Sequence, residues 1–215
     1  MGKLIGLMGS PGTGKSTSLK SLPPDQTVII DCDLKGLTWR NGREQYSKEK
    51  NNYFAINSPE KAIKALKWVG SDPTQAHTKY LCIDTVNNLL TSEEMRRSRE
   101  KGYDKWVDMA SWIWDLVELP GLLRDDLTVI LVFHTQVDET EGGYVNIHIK
   151  TNGRKTERNN IDSKFNWLLM TVKQGDQYMY ETTSHNSTSR TPLGAFEDEY
   201  IPSDIMTVIT AMKDY

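Results

Sequence analysis

Residues Gly9-Ser-Pro-Gly-Thr-Gly-Lys-Ser16 fit the spacing G-x-x-x-x-G-K-[ST], and no other stretch limits the chain's fold so tightly. An apolar run, Lys3-Leu-Ile-Gly-Leu-Met8, precedes it, and the helix-competent Thr17-Ser-Leu-Lys-Ser21 follows. That is the strand–loop–helix order a phosphate-binding loop requires. A nucleoside triphosphate concentrates negative charge on a compact string of oxygens. Backbone N–H groups at a helix start point at such an anion, and the helix dipole favours it. Gly9, Gly12 and Gly14 let the backbone come close to the ligand. Ser10, Pro11, Thr13 and Thr17 complete the cradle. Lys15 is expected to reach the β and γ phosphates, and Ser16 to offer its hydroxyl to Mg²⁺.

A loop of this kind needs partners at the ends of neighbouring strands. Pro23-Pro24 should stop the first helix early and turn the chain. Thr27-Val-Ile-Ile-Asp31 is a β-branched run that reads as a buried parallel strand ending in Asp31-Cys32-Asp33. Carboxylates at that end of an open α/β sheet face the ligand crevice. Asp33 is therefore a candidate for the ligand side; the alternative is that either acid merely caps the turn. Lys79-Tyr-Leu-Cys-Ile-Asp84 lies about 70 residues beyond the loop and has the Walker B pattern. In such sites the carboxylate helps hold Mg²⁺, usually through a water. The competing reading of Asp84 is a cap for the next helix. Leu127-Thr-Val-Ile-Leu-Val-Phe133 is a central apolar strand ending in His134-Thr135-Gln136, where a polar side chain can sense a γ-phosphate.

The rest of the chain reads as scaffold with one basic exception. Ser58-Pro59-Glu60 starts a helix whose apolar face is Ala62, Ile63, Leu66 and Val69. A charged helix is expected over 91–101, and Trp106, Met109, Ile113, Leu116 and Val117 follow at helical spacing as core. Arg97 and Lys105, the latter beside the stacking ring of Trp106, are candidate DNA contacts, although a charge run is commonly a solvated face. Residues 136–164 read as a flexible basic loop or hairpin in which Tyr144–Ile149 alternates as a strand. Lys150, Arg154, Lys155, Arg158 and Lys164 are its cations. Phe165–Lys173 and Gln177–Glu181 form a hairpin, and the Ser/Thr-rich stretch within 182–200 is expected to be mobile. A terminal helix starts at Ile201-Pro-Ser-Asp204.

Composition excludes several classes. A net charge of −3 rules out a globally basic nucleic-acid coat, so any such contact is local. No apolar stretch approaches the ~18 residues of a membrane span. The N-terminal run is too short for a signal peptide, and Gly6 stands where a myristoylation pattern needs Ser or Thr. Cys32 and Cys82 lack metal spacing and read as small buried hydrophobes in a reducing compartment. The expectation is one α/β domain over 1–215, with a mostly parallel central sheet, flanking helices and a C-terminal antiparallel hairpin.

This order of parts resembles the RecA-like core of P-loop ATPases. More narrowly, it resembles phage-encoded P-loop ATPases that reduce RecA to its core, some of them single-strand annealing or recombination proteins. The resemblance implies ATP and Mg²⁺ as cofactors, with Gly9 to Thr17 on the phosphates and Asp84 completing the metal shell. It puts Asp33 at the position of the water-activating acid. The family usually has Glu there, so a shorter Asp implies slow hydrolysis or a longer water bridge. It puts His134 or Gln136 at the polar sensor, with both left open. It puts 150–164 at the second DNA-binding loop and Arg190 at a trans-acting cation reaching a neighbour's nucleotide. Single-stranded DNA, a homo-oligomeric ring or filament and a phage single-strand DNA-binding protein are the partners it implies, in the host cell cytoplasm. Other classes stay open: a GTPase-like switch suggested by Thr135-Gln-Val-Asp138, a small-molecule kinase with 150–158 as lid, and an ATP binder with little hydrolysis.

Overall fold

The computed structural model describes residues 2–139, 142–151 and 160–215. Nine described strands are β1 (Lys3–Gly9), β2 (Thr27–Asp31), β3 (Tyr53–Ala55), β4 (Tyr80–Asp84), β5 (Thr128–Glu139), β6 (Val145–Ile149), β7 (Leu168–Gln174), β8 (Gln177–Glu181) and β9 (Tyr200–Pro202). They form one sheet in the order β3-β2-β4-β5-β1-β7-β8-β9, with β6 paired to the far half of β5. The first six strands of that order are mutually parallel; β8 and β9 run antiparallel at the edge. The expected α/β architecture with a C-terminal hairpin is thus the observed one.

Burial on both faces explains the near-continuous apolar runs of the central strands. On β5, Val129, Leu131 and Phe133 belong to one core and Ile130 and Val132 to the other. After a four-residue α1 (Gly42–Gln45), the first core is closed by α2 (Pro59–Ser71), α3 (Val86–Arg96) and α4 (Asp104–Glu118). Ala62, Ile63, Leu66 and Val69 supply the buried face of α2. The second core is closed by the turn after the phosphate loop and by α5 (Ile205–Ala211). Asp204 caps α5 by accepting from the Met206 amide at 2.9 Å, and its other partner is the Ser21 hydroxyl. That contact ties the terminal helix to the loop's exit. Cys32 and Cys82 are free and buried in opposite cores. Burial drives both thiols well above their ordinary range. No helix among the described residues is long and apolar enough to cross a membrane.

Four local expectations change. The loop is followed by a five-residue 3₁₀ helix, Thr17–Ser21, and not by an α-helix. Leu22, Pro23 and Pro24 follow at once, so no length is left to propagate one. The charged helix expected over 91–101 starts five residues earlier, at Val86, because buried Leu89 and Leu90 hold its first turns. His134, Thr135 and Gln136 do not end their strand. β5 runs on to Glu139 because the alternating β6 pairs with it, Thr135 opposite Ile149 and Glu139 opposite Val145. The Ser/Thr-rich part of 182–200, expected to be mobile, lies against the sheet. Ser187 bridges to Ile147 and Arg190 to Leu168, and the buried Ser187 and Ser189 hydroxyls both donate to Glu181 Oε1. A buried carboxylate requires such donors, which outweighs the disorder-prone composition.

Candidate functional site

The site is assembled at the C-terminal edge of the parallel strands. Gly9, at the end of β1, lies opposite His134 on β5. Asp31 at the end of β2 lies opposite Asp84 at the end of β4. The strand order therefore inserts β5 between the loop strand and the Asp84 strand, and brings His134 between loop and acids.

The loop is held tightly from one side. A Cβ on Gly9 would come within 2.1 Å of Thr171 Oγ1 and 2.8 Å of Thr13 Oγ1, so no side chain fits there. Thr13 donates to the Ser10 carbonyl at 2.8 Å and shares a 2.6 Å hydrogen bond with Thr171. Gly12 and Gly14 take φ of 81° and 90°, backbone that other residues adopt only with strain. The Ser18 amide donates to the Gly14 carbonyl at 2.9 Å, starting the turn. One turn suffices for the anion site, since the dipole effect is confined to a helix's first turn.

Lys15 is buried, and its Nζ donates to the carbonyls of Gly9 (2.7 Å) and Ser10 (2.8 Å). Burial lowers its pKa to about 8, against the opposing pull of Asp84 and Asp33. The Asp84 carboxyl is raised above its ordinary range by burial, partly offset by hydrogen bonds from Ser16 and Thr85. Ser16 and Asp84, the two residues expected at the metal, are thus near enough for the hydroxyl to favour the charged carboxylate. Among the described residues no three His, Cys, Asp or Glu side chains gather into a metal cluster. Mg²⁺ on a nucleotide needs none, because one or two protein oxygens, phosphates and waters fill its shell. The donor set fits that ion.

The two acids after β2 separate cleanly. Asp31 accepts from the amides of Asp33 (2.9 Å), Leu34 (3.0 Å) and Gly36 (2.8 Å) and from the Tyr53 hydroxyl (2.6 Å). It shapes the turn. Asp33 Oδ2 meets Lys35 Nζ at 3.1 Å, while its Oδ1 is buried with no partner. A buried oxygen without a donor is costly unless something else comes to it. A cleft of about 410 Å³, lined in part by Cys32, Asp33, Asn88 and Arg96, opens beside it.

His134 also keeps a buried, unpartnered Nδ1. Burial and then the Lys15 charge push its pKa below the usual range, so the ring is neutral at pH 7. Gln136 lies two residues further out, donates to Asp138 at 3.0 Å, and lines a cavity under the β5–β6 hairpin. Asp138 is also held by His148 at 2.9 Å. Between them Thr135 approaches the Ser10 hydroxyl at 3.4 Å. Pro11 and Thr17 stay on the loop's open side and at its exit.

A scan against protein-family models matches the AAA domain family over residues 1–191. This chain belongs to the AAA domain family. The match spans the loop, both acids, β5 and the segment to Thr191. The AAA domain described here is a P-loop, nucleotide-binding ATPase, in line with the geometry around Lys15, Ser16 and Asp84. No curated protein matches it.

The other candidate residues of this AAA domain are dispersed. Arg97 is clasped by Glu100 and Asp108 and lies over Trp112, and Lys105 reaches the Arg97 carbonyl and the Trp106 face. Lys164 pairs with Glu118 and sits 4.0 Å over Trp114. Arg190 is exposed at the β7 side of the sheet. Arg154, Lys155 and Arg158 lie outside the described residues. Two supporting residues escaped sequence reasoning. Thr171 buttresses the loop from a strand with no motif. Asn87 accepts from the His134 amide at 2.7 Å and donates to the Lys150 carbonyl. An Asn three residues past Asp84, just ahead of Leu89 and Leu90, was the available signal.

Proposed function

We propose that this AAA domain hydrolyses ATP with Mg²⁺ and couples that cycle to single-stranded DNA in phage recombination or replication, acting as a homo-oligomeric ring or filament in the host cytoplasm. The observation that carries the ATPase part is the convergence of Lys15, Ser16 and Asp84 at one strand edge, with an unpaired oxygen of Asp33 beside them. Mg²⁺, held by Ser16 and Asp84, would neutralise charge on the phosphates. Lys15, released from the Gly9 and Ser10 carbonyls, follows the β and γ oxygens. Asp33 Oδ1 accepts a proton from, and thereby orients, the attacking water for in-line displacement. Neutral His134 donates or accepts at the γ end. Arg190 of a neighbouring copy would add a cation in trans.

Support for the DNA part comes from connectivity. The Lys150 amide donates to the His134 carbonyl at 2.8 Å, and Asn87 grips both residues. The basic stretch from Lys150 to Arg158 therefore begins at the sensor itself. Contacts of Lys and Arg with DNA phosphates are sequence-tolerant and weaken with salt. The short Asp33 favours slow turnover as a second reading, in which ATP serves chiefly for assembly.

The deciding assay is ATP hydrolysis with and without single-stranded DNA, on wild type, Lys15→Ala and Asp33→Asn. Stimulation by DNA, lost in both variants, is the expected result. Asp33→Asn should lower kcat by roughly 10²–10⁴-fold while ATP still binds. Undiminished turnover in Asp33→Asn removes that residue from the mechanism, and a rate indifferent to DNA sinks the nucleic-acid coupling.

A further inference from the structure

We propose that Lys35 supplies a second cation to the γ-phosphate from within the same chain, and that Asp33 holds it until the nucleotide arrives. The inference rests on the nucleotide reading above and adds a residue that no motif marks. Lys35 lies in the turn after β2, with its Nζ 3.1 Å from Asp33 Oδ2; the lysine side chain is 72% exposed and the carboxylate side chain 18%. The other oxygen of that carboxylate, Oδ1, is the buried one without a partner. Lys35 also acts on His134. Burial first, then the charges of Lys15, Lys35 and Lys150, hold that imidazole below its usual range, against the pull of Asp33. Of these three lysines, Lys35 is the one in ion-pair contact with Asp33. It stands at the end of the site that receives the γ-phosphate.

The turn holds it there. Asp31 accepts from the amides of Asp33, Leu34 and Gly36, so the backbone on both sides of Lys35 is pinned. Leu34 and Gly36 take left-handed φ of 57° and 81°. A leucine in that region is strained, and Leu34 stays 52% exposed, so burial does not account for its conformation. Backbone strain of this kind gathers at ligand clamps and active sites. Its effect here is to turn Leu34 outward and leave Lys35 against Asp33. An exposed ion pair is weak, because water screens it and two side chains must be ordered to make it. Lys35 can therefore leave Asp33 readily when a more highly charged anion arrives beside it. The γ-phosphate is such an anion, and it is the part of ATP that ADP lacks. Transfer of the ammonium neutralises charge on the departing phosphoryl group and leaves both Asp33 oxygens open to the attacking water.

The test compares ADP with the non-hydrolysable analogue AMP-PNP, both with Mg²⁺, by isothermal titration calorimetry on the full chain, beside steady-state ATP turnover. Lys35→Met should lose roughly ten- to hundred-fold in AMP-PNP affinity while ADP affinity is unchanged. Its kcat should fall by roughly 10²-fold. Lys35→Arg, which keeps the charge, should restore most of both. Mixing Lys35→Met chains with Lys15→Ala chains should recover no turnover, because each loop needs the lysine of its own chain. Unchanged AMP-PNP affinity, or equal losses for ADP and AMP-PNP, would reduce Lys35 to a prop for the turn. Faster turnover in Lys35→Met would make it only a restraint on Asp33, and recovery on mixing would make it act across subunits. Each of these results overturns the assignment. A wild type that binds neither ligand defeats the nucleotide reading first, and this one with it.

Discussion

Lys15 is the residue in which burial and charge oppose each other most directly. Its ammonium is desolvated, yet two carboxylates and two loop carbonyls surround it, and the outcome is a pKa near 8. A bound polyphosphate adds negative charge and must raise that value. The sign follows: in the free protein Lys15 loses its proton as pH climbs through about 8, whereas the complex keeps it. ADP or ATP affinity should therefore fall as pH rises from 7 to 9. Binding near pH 8 should take up a fraction of a proton, measurable by calorimetry in buffers of different ionisation enthalpy. Lys15→Met should flatten this dependence. A pH-independent affinity would mean that Lys15 does not pair with the phosphates. At this scale the sequence was most legible where chemistry dictates spacing, as from Gly9 to Ser16. It was least legible for Asp31 and Asp33, since two acids two residues apart look alike until their donors are known. Only the fold shows three amides and a tyrosine converging on the first and none on Oδ1 of the second.

Among elements, β5 and α3 share one core and are also joined by the hydrogen bonds of one side chain. Asn87 satisfies a backbone amide at His134 and a backbone carbonyl at Lys150, joining helix, strand and hairpin. Asn87→Ala leaves both groups without their partner in a buried place. It should cost about 1–3 kcal/mol, read as a lower denaturant midpoint with unchanged slope. A change within error would mean that water replaces the amide. Sequence periodicity located β1, β2, β4, α2 and α4 well, because both faces of the sheet and one face of each helix are apolar. It placed the start of α3 too late, since the charges of 91–101 masked buried leucines before them. It ended β5 too soon, since pairing with a strand that begins at Val145 is a tertiary fact. It took the Ser/Thr stretch after Glu181 for a mobile tail because hydroxyls signal solvent unless a buried carboxylate gathers them.

For the whole molecule, ligand and fold are linked. The loop, both acids and His134 come from four separate strands and the loops that follow them, so a nucleotide that contacts them together binds the folded state alone. Saturating Mg-ADP at 100 times Kd should stabilise the protein by about 2.7 kcal/mol, seen as a clear rise in Tm. Lys15→Ala should lose most of that rise. A Tm unmoved by Mg-ADP in wild type would show that no such joint contact forms.

Within that assembly β5 has an unusual shape. Up to Leu131 it is gripped on both flanks, by β4 as far as Ile83 and by β1, whose pairing runs on to Gly9 opposite His134. Beyond it, 135–139 leave the sheet with β6 as sole strand neighbour. At about 3.4 Å per residue this overhang reaches some 17 Å past its clamp. It is an arm rooted beside Gly9 of the phosphate loop and steadied at Ile147 by Ser187, so a tilt of about 5° at its base moves its end by about 1.5 Å.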